Sequence, residues 1–555
     1  MSFPPTPEQQ AFLDTAVSGA PIIVGQAGAG TGKTSTISLL ADAWADYGVG
    51  GIYITLNKNV AQEVGRKFHR GNVAAMTIHS LAYRVATQTP HIAPLMPRLN
   101  DDNKLPRWKA AKHLRWTKGM RYVSFKSKHA RDAGFGPAEE TELSPAQIMS
   151  KAHDAVAKWC SSADESISAK HVTRPRNMPH RVFKEVYAPL VAEAATRLWT
   201  TDLTSPEGRC TFTHDHYLKL VSLDRPNLVR DHGDLLSLSH GSLLFLDEAQ
   251  DARPSIIELV RAQVGYMRIV VVGDSAQAIY RFTGAVDALP MFSEMDNSVT
   301  LPLTKSWRFG EGSASYANQV LEALDTPIRV RGNEAIETRV EKYIVEDGTK
   351  VSTPVTDAVL VRTNAELVTE TIRESSRGRK VCAMADIHGV MSTMADIQRI
   401  SNGKTAKHPD LKELGTMQEL KAFVDPDKGY AGDLGPTIRL GLDLGPDEVI
   451  RVLESCVSAE EADVTVSTMH KSKGREWDSV RLAGDPMSIV PVAPFEEDEH
   501  TGKQRLSGAA KDSLMLYYVS VTRGRREVFI PDMVYGAMED CLDDIKKVRA
   551  GERLV

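Results

Sequence analysis

The chain has 555 residues, 42% hydrophobic and 25% charged, with a formal net charge of −5 at pH 7. That length predicts about three or four domains, the composition is that of ordinary globular protein, and the slight acidity excludes a polycation that holds nucleic acid through a global field. No apolar run is long enough for a bilayer span, Met1-Ser2-Phe3-Pro4-Pro5 lacks the regions of a secretory signal, and five scattered cysteines exclude a disulfide framework or paired zinc spacing, so an intracellular, cytoplasmic (in a eukaryote, nuclear) protein without membrane partners is expected.

Thr6-Pro7-Glu8-Gln9 predicts a helix start with an N-cap, a proline at N1 and a glutamine at N3, which is a capping box. Pro21-Ile22-Ile23-Val24 predicts a short buried strand. It is followed by a Gly-rich stretch from Gly25 and by a helix with Ile37, Leu40, Ala41 and Trp44 on one face. Strand, Gly-rich loop and helix in that order is the context of a phosphate-binding loop. The loop's N–H groups turn toward phosphate oxygens, and the helix N-terminus adds partial positive charge. Ala27, Gly28, Ala29, Gly30, Thr31, Gly32, Lys33, Thr34 and Ser35 form this expected ATP cradle, with Ala27 standing where the generic motif has its first glycine. Lys33 is expected to reach the β/γ-phosphates and Thr34 to ligate Mg²⁺.

Gly51-Ile52-Tyr53-Ile54 predicts a second buried strand, followed by Thr55, Asn57 and Lys58; Met76-Thr77-Ile78-His79-Ser80 comes next. The proline-containing stretch Thr89–Pro97 leaves this first domain and opens a helical insert. Between Asn103 and Arg131 the insert carries Lys104, Arg107, Lys109, Lys112, Arg115, Lys118, Arg121, Lys126, Lys128 and Arg131 without an acidic residue, interleaved with Trp108, Trp116, Tyr122 and Phe125. Bases and phosphates are held by such mixtures, and Lys109, Lys112 and Arg115 are the expected DNA contacts. A solvated helix face with Trp108 and Trp116 in the core is the other reading. Ser144-Pro145-Ala146-Gln147 caps a helix with Ile148, Ala152, Ala155 and Trp159 on one face.

Two apolar runs follow that predict buried parallel strands with polar residues at their carboxyl ends. Leu243–Leu246 runs into Asp247-Glu248-Ala249-Gln250-Asp251, where Asp247 is expected to hold Mg²⁺ and Glu248 to orient or deprotonate the attacking water. Ile269–Val272 ends in Gly273-Asp274, followed by Gln277, a candidate sensor of the γ-phosphate, and by the aromatic and basic residues Tyr280-Arg281-Phe282. Ala358–Val361 predicts a strand of a later domain, and Glu496–Glu499 a solvated loop.

The order of these segments resembles the UvrD/Rep-type superfamily-one DNA helicases, over nearly the whole chain. The matching motifs are Ala27–Thr34, Asp247–Asp251, Gly273–Ala285, Leu303–Gly310, Thr468–Trp477 and Tyr518–Arg523. Within that family Thr213-His214-Asp215-His216-Tyr217-Leu218-Lys219-Leu220 and Ser306-Trp307-Arg308-Phe309-Gly310 look like the F-box DNA helicase branch. The resemblance implies an α/β fold of two RecA-like motor domains with parallel sheets, each with an inserted, mainly helical subdomain. The expected segments are 1–85 with 205–300, an insert 86–204, then 301–380 with 463–555, and a small insert 381–462. It implies that Arg308 and Arg523 act on the γ-phosphate, that Trp307 stacks on the base, that Glu476 contacts the ribose and that Gln9 reads adenine. It also implies single-stranded DNA along Thr55, Asn57, Lys58, Thr77, His79, Tyr280, Phe282, Thr468 and His470. Thr283 stands where relatives carry a DNA-touching arginine, and Ser35 departs from many bacterial relatives. His79 and His470 read equally as ordinary buried histidines.

The activity implied is an ATP-dependent 3′-to-5′ DNA helicase or translocase on single strands and single/double-strand junctions, with recombination or replication proteins as candidate partners. Two other readings stay open: a translocase that strips recombinase or other proteins from DNA, and a nucleotide-gated binding switch. No F-box or nuclease segment is expected beside this motor.

Overall fold

A computed structural model describes residues 4–101, 104–125, 138–175, 178–345, 353–408, 410–412, 414–424, 434–491, 494–497 and 503–552. Met1 to Phe3, the basic Lys126, Lys128 and Arg131, and Asp498 and Glu499 of the acidic run lie outside the described residues, as do the side chains of Trp108 and Phe125. By internal contacts the chain divides into two units. The first holds residues 1–26, 33–274 and 280–302; the second holds 27–32, 275–279 and 303–555.

The first unit is built on strands β1 (Ile22–Ala27), β2 (Gly51–Thr55) and β3 (Val73–Thr77), a hairpin β4 (Met120–Phe125) and β5 (Ala138–Leu143), then β6 (Leu243–Leu246), β7 (Arg268–Gly273) and β8 (Ser298–Leu303). The six-stranded sheet runs β3-β2-β6-β7-β1-β8. The pairs β3–β2, β2–β6, β6–β7 and β7–β1 are parallel. Because helices cover both faces, β2 and β6 are buried along their whole length, which is why β6 reads as an unbroken apolar run and β2 as an apolar one save for the Tyr53 hydroxyl and the terminal Thr55. Thr55 pairs with Thr77, Ile54 with Leu246, Leu246 with Val271, and Gln26 with Gly273. That register brings the carboxyl ends of β1, β2, β3, β6 and β7 to one edge of the sheet.

The insert has its own apolar core around Trp159, Trp199, Val191 and Trp116. The expected helix Pro145–Ser161 forms, with Ser144 and Gln147 closing a capping box. Where the chain leaves and re-enters, Arg98 is buried and donates to the carbonyls of Asp202, Leu203, Ser205 and Cys210 and to the Asp202 carboxylate. Asp202 also accepts from the Arg209 and Cys210 amides and meets His113 Nε2 at 2.8 Å. A buried charge satisfied this completely fixes the two crossings together. Ile92, Leu95 and Met96, just before them, pack into the core of the sheet itself.

The second unit contains β9 (Arg339–Tyr343), β10 (Ala358–Val361), β11 (Val381–Met384), β12 (Val464–Thr468), β13 (Trp477–Leu482), a small antiparallel pair β14 (Phe495–Glu497) and β15 (Gln504–Leu506), and β16 (Gly524–Pro531). Its six-stranded sheet, β11-β12-β10-β13-β16-β9, is parallel throughout. Helices between residues 387 and 454 share one continuous core with β10, β11 and β12. Two parallel six-stranded sheets flanked by helices are the expected α/β architecture.

At the centre of the second sheet Arg481 is fully buried and bonds Glu370 and Glu374 of helix Asn364–Ser376 at 2.8 and 2.9 Å. Arg481→Met strands two buried carboxylates and is expected to cost about 3 kcal/mol or more, read as a lower urea midpoint. An unchanged midpoint would mean that Arg373, Arg377 and Arg379, which also pair with these glutamates, satisfy them alone.

Candidate functional site

Four predicted site residues converge at the carboxyl edge of the first sheet. Helix Lys33–Ala45 begins at Lys33, whose Nζ lies 3.9 Å from Glu248 Oε1. Thr34 Oγ1 is 3.5 Å from Asp247 Oδ2. Asp247 is 2% exposed and takes a 2.7 Å hydrogen bond from the Tyr53 hydroxyl on β2. Its carboxyl is pushed up to about 6, chiefly by burial and then by Glu248, against the pull of Lys33 and the Tyr53 bond. Glu248 itself sits at φ +53°, a left-handed conformation costing about 1 kcal/mol.

Two residues that the sequence reading passed over hold this corner. Tyr53 is the only hydroxyl-bearing aromatic in β2, and a polar tip in an otherwise apolar buried strand was the available signal. Gln250, fully buried, donates to Glu248 Oε2 and accepts from the Asp274 amide at 3.0 Å. It thereby ties the end of β6 to the end of β7. Gly273 is required there, because a methyl would stand 2.4 Å from Gln250 Oε1.

The donor set suits a hard cation: a hydroxyl and a carboxylate side by side, the latter lacking enough nearby positive charge to ionise at its ordinary value. Among the described residues no cluster of three or more histidine, cysteine or acidic side chains could hold a metal alone. A cation here would therefore share its remaining ligands with phosphate and water, as Mg²⁺ does in nucleotide sites.

Residues 27–32 and 275–279 belong to the second unit, and the remaining nucleotide candidates lie around them. Gly30, at φ +72°, accepts from the Trp307 amide at 2.8 Å, and a Cβ on it would collide with Arg308 Cβ at 2.7 Å. The Ala29 amide donates to the Tyr518 hydroxyl at 3.0 Å, and Gly28 N to Leu303 O at 3.0 Å. Arg308 Nε bonds Glu476 at 2.7 Å, so these two candidates are partners here. Arg523 is 1% exposed; it donates to Val519 O at 2.7 Å, and its Nη2 is 3.5 Å from Gln277 Oε1. Lys473, also passed over, donates to Gln277 O at 2.6 Å. Trp307 has the Lys305 ammonium 5.2 Å from its ring centre. Ser35 is exposed. Gln9 completes the predicted capping box with Thr6, and its amide also donates to Thr36 Oγ1 of the Lys33 helix at 3.3 Å.

The DNA candidates divide by what already engages them. Thr55 is buried. Asn57 caps helix Lys58–Gly65 by accepting from Asn59 N, and Thr77 caps helix Ile78–Gln88 by accepting from Ser80 N. His79 Nε2 lies 3.3 Å from Asp215 Oδ1. Tyr280 packs beside Phe282, which is 75% exposed. Thr283 turns its hydroxyl back to Tyr280 O at 2.7 Å. In the second unit Thr468 is buried, and His470 is lowered to about 4, first by burial and then by Arg362, so it is neutral near pH 7.

In the basic run, Lys109, Lys112 and Arg115 are exposed. Arg107, Lys118 and Arg121, also exposed, pair with Asp154, Glu193 and Glu142, distant in sequence. Trp116 is core, with its indole N–H on Lys118 O at 2.9 Å. The other reading, a single helix running from Trp108 to Trp116, does not match the backbone: helix Ala110–His113 is four residues long and Arg115 lies beyond it at φ +52°.

A family profile described as an AAA domain matches residues 9–283. The chain is 24% identical over 544 residues to F-box DNA helicase protein 1 of Schizosaccharomyces pombe, covering 95% of this chain and 57% of that protein. It is 26% identical over 556 aligned residues to F-box DNA helicase 1 of Gallus gallus, covering 94% of this chain and 48% of that protein. The chain thus spans about half the length of these curated relatives. These matches bear out the resemblance to UvrD/Rep-type helicases and their F-box branch.

Cation binding needs the ionised Asp247, so Mg²⁺-dependent nucleotide affinity is expected to fall as pH drops through about 6. The linkage to stability has the opposite sense. A raised carboxyl favours the cation-free fold below the ordinary value of about 4 and loses that advantage as pH rises toward 6. Tyr53→Phe removes the hydroxyl donor and is expected to move the acid limb of Mg²⁺-nucleotide binding upward in pH. Calorimetric titrations from pH 5.5 to 8 read it, and an unmoved limb contradicts the role given to Tyr53.

Proposed function

We propose that this relative of the F-box DNA helicases is an ATP-hydrolysing motor on single-stranded DNA, moving 3′ to 5′ and separating strands at single/double-strand junctions. The observation that carries the reading is a single segment. From Asp247, beside Thr34 and Tyr53, it runs through Gln250 and the Gly273 turn to Gln277 and then to the exposed Phe282. Phosphate-site chemistry and an exposed aromatic ring are therefore ends of one stretch of chain. A nucleotide switch needs the first end but not the second, whereas stacking on a ring tolerates any base, as a translocating motor requires.

In this reading Lys33 binds the β/γ-phosphates, Glu248 orients the attacking water, and Arg308 and Arg523 stabilise charge on the γ-phosphoryl group. Gln9, Trp307 and Glu476 hold the nucleoside. Mg²⁺, held by Thr34 and Asp247, supplies charge neutralisation for phosphoryl transfer when bound. The nearness of Arg523 to Gln277 and of Arg308 to Gly30 supports the arginine roles. The motor domains proposed are 1–85 with 205–300 and 301–380 with 463–555, with inserts at 86–204 and 381–462. Lys58, His79, Lys109, Lys112 and Arg115 contact DNA from the first unit, and Thr468 and His470 from the second. An intracellular setting and recombination or replication partners belong to the same proposal; no helix among the described residues is long and apolar enough to cross a membrane.

ATP turnover is expected to rise many-fold on adding single-stranded DNA. Indifference to DNA favours the nucleotide switch. Lys33→Ala is expected to abolish turnover, and Arg308→Ala and Arg523→Ala each to cut it by about 10³-fold while ATP still binds; normal turnover in either refutes that arginine's assignment. Strand displacement is expected on duplexes with a 3′ single-stranded tail and not with a 5′ tail, and the reverse pattern overturns the polarity.

A further inference from the structure

Within the first unit two cavities, each of about 760 Å³, meet at the same pair of residues, Asp215 and Arg253. The first cavity is walled by His79, Tyr83, His214 and Tyr217. The second is walled by Phe282 and Thr283 on one side and by Lys158 and the Ser161–Asp164 turn of the insert on the other. Both are therefore partly aromatic, and the junction between them is a guanidinium.

The junction is built by one helix, His214–Asp224, whose first residues are the segment Thr213–Leu220 that singles out the F-box branch. Asp215 Oδ1 accepts from Arg253 Nη1 at 2.9 Å and lies 3.3 Å from His79 Nε2. Its carboxyl is held below the ordinary range, chiefly by the His79 bond and also by Arg253. One turn on, Lys219 is buried under the Trp159 ring and donates to the carbonyls of Ser162 and Asp164 at 2.8 and 2.6 Å. One helix thus fixes the guanidinium on one side of the groove and the insert's turn on the other. Arg253 lies two residues after the acidic motif, at the N-cap of helix Pro254–Arg261, and 31% of its side chain is accessible.

We propose that this groove takes the backbone of a single nucleic-acid strand, with Arg253 binding a phosphate at the junction, a base in each flanking cavity, and Asp215 positioning Arg253 and His79. A guanidinium with one edge on Asp215 keeps further N–H donors for a phosphate, and its delocalised charge tolerates sharing between two anions. The aromatic walls offer stacking without sequence preference. Arg253 lines the same cavity as Thr283, whose hydroxyl is turned to its own backbone; the other cations of that cavity are Lys158, Arg281 and Lys170, the last paired with Asp164. This assignment rests on the reading of the chain as a single-strand DNA motor and names residues for it.

The test is binding of a fluorescent oligothymidylate of about 20 nucleotides to the full chain, by anisotropy, across a salt series. Wild type is expected to bind with a steep salt slope. Arg253→Gln is expected to weaken binding about tenfold and to reduce the slope by about one. Arg253→Lys, which keeps the charge, is expected to retain the slope. Asp215→Asn, nearly isosteric, is expected to weaken binding without lowering the slope, because it removes a positioning group and not a phosphate contact. Should Arg253→Gln unfold the protein, Lys158→Gln on the opposite wall reads the same slope at an exposed position. Wild-type binding with slopes unchanged in both Arg253→Gln and Lys158→Gln overturns this assignment and leaves the motor standing. Failure of the wild type to bind overturns both.

Discussion

A carboxylate stripped of almost all solvent stands at the end of β6, and the chemistry of the first unit is arranged around it. Burial alone drives Asp247 toward its neutral form, and Glu248 beside it drives it further. The fold answers with the Tyr53 hydroxyl from the neighbouring strand, Lys33 and Thr34 from the phosphate-loop helix, and its own bond from the Glu248 amide. These compensations are incomplete, and a divalent cation bound there would stabilise a charge that the protein leaves under-stabilised. The parallel register of β1, β2, β6 and β7 is the precondition, since it brings four separate stretches of sequence to one edge.

Gln250 extends that constraint along the chain. One amide bonds Glu248 with its nitrogen and the Asp274 backbone with its oxygen, so the acidic turn and the turn after β7 cannot shift independently. Gly273 permits the approach. Downstream, Gln277 is held through its carbonyl by Lys473 and lies beside Arg523 through its side chain. The aromatic turn at Phe282 follows only a few residues later.

The two sheets, their parallel sense and the Gly-rich loop between β1 and helix Lys33–Ala45 were legible because buried parallel strands are mostly apolar and because strand, Gly-rich loop and helix follow one another in the sequence pattern. Asp247, Glu248, Lys33 and Thr34 were legible for the same reason: their position at strand and helix ends follows from topology. Small polar residues were harder to read, since a residue type that suits a phosphate also suits a helix cap. Asn57 and Thr77 are caps, and Gln9 closes the capping box predicted for it. The charge run of the insert misled in part, because sequence shows which acids are neighbours along the chain and not which are neighbours in space. Asp154, Glu193 and Glu142 neutralise Arg107, Lys118 and Arg121 from elements that fold back later. Tyr53 and Arg253 stand outside every motif, and Gln250 stands inside one without a role assigned to it; each acts through a partner far away in sequence, Asp247, Asp215 and the Asp274 amide respectively.

Helix His214–Asp224 shows why such residues escape motif reading yet organise a site. Its polar residues do not point to a common reactive centre. Asp215 accepts from Arg253, Tyr217 donates to His79 O, and Lys219 reaches the Ser162–Asp164 turn. A buried lysine with its amine on two carbonyls is tolerated only if both are present and fixed, so the Ser162–Asp164 turn and this helix must be ordered together. The same holds for Arg98 at the crossing, which needs four carbonyls and a carboxylate at once. Two such all-or-none contacts, one at the base of the insert and one at the groove, leave it little freedom to rock against the sheet. The wall that carries Lys158 is thereby tied to the helix that holds Asp215. Rigidity of both walls is what a groove needs if binding energy is to go into gripping a strand and not into ordering the protein.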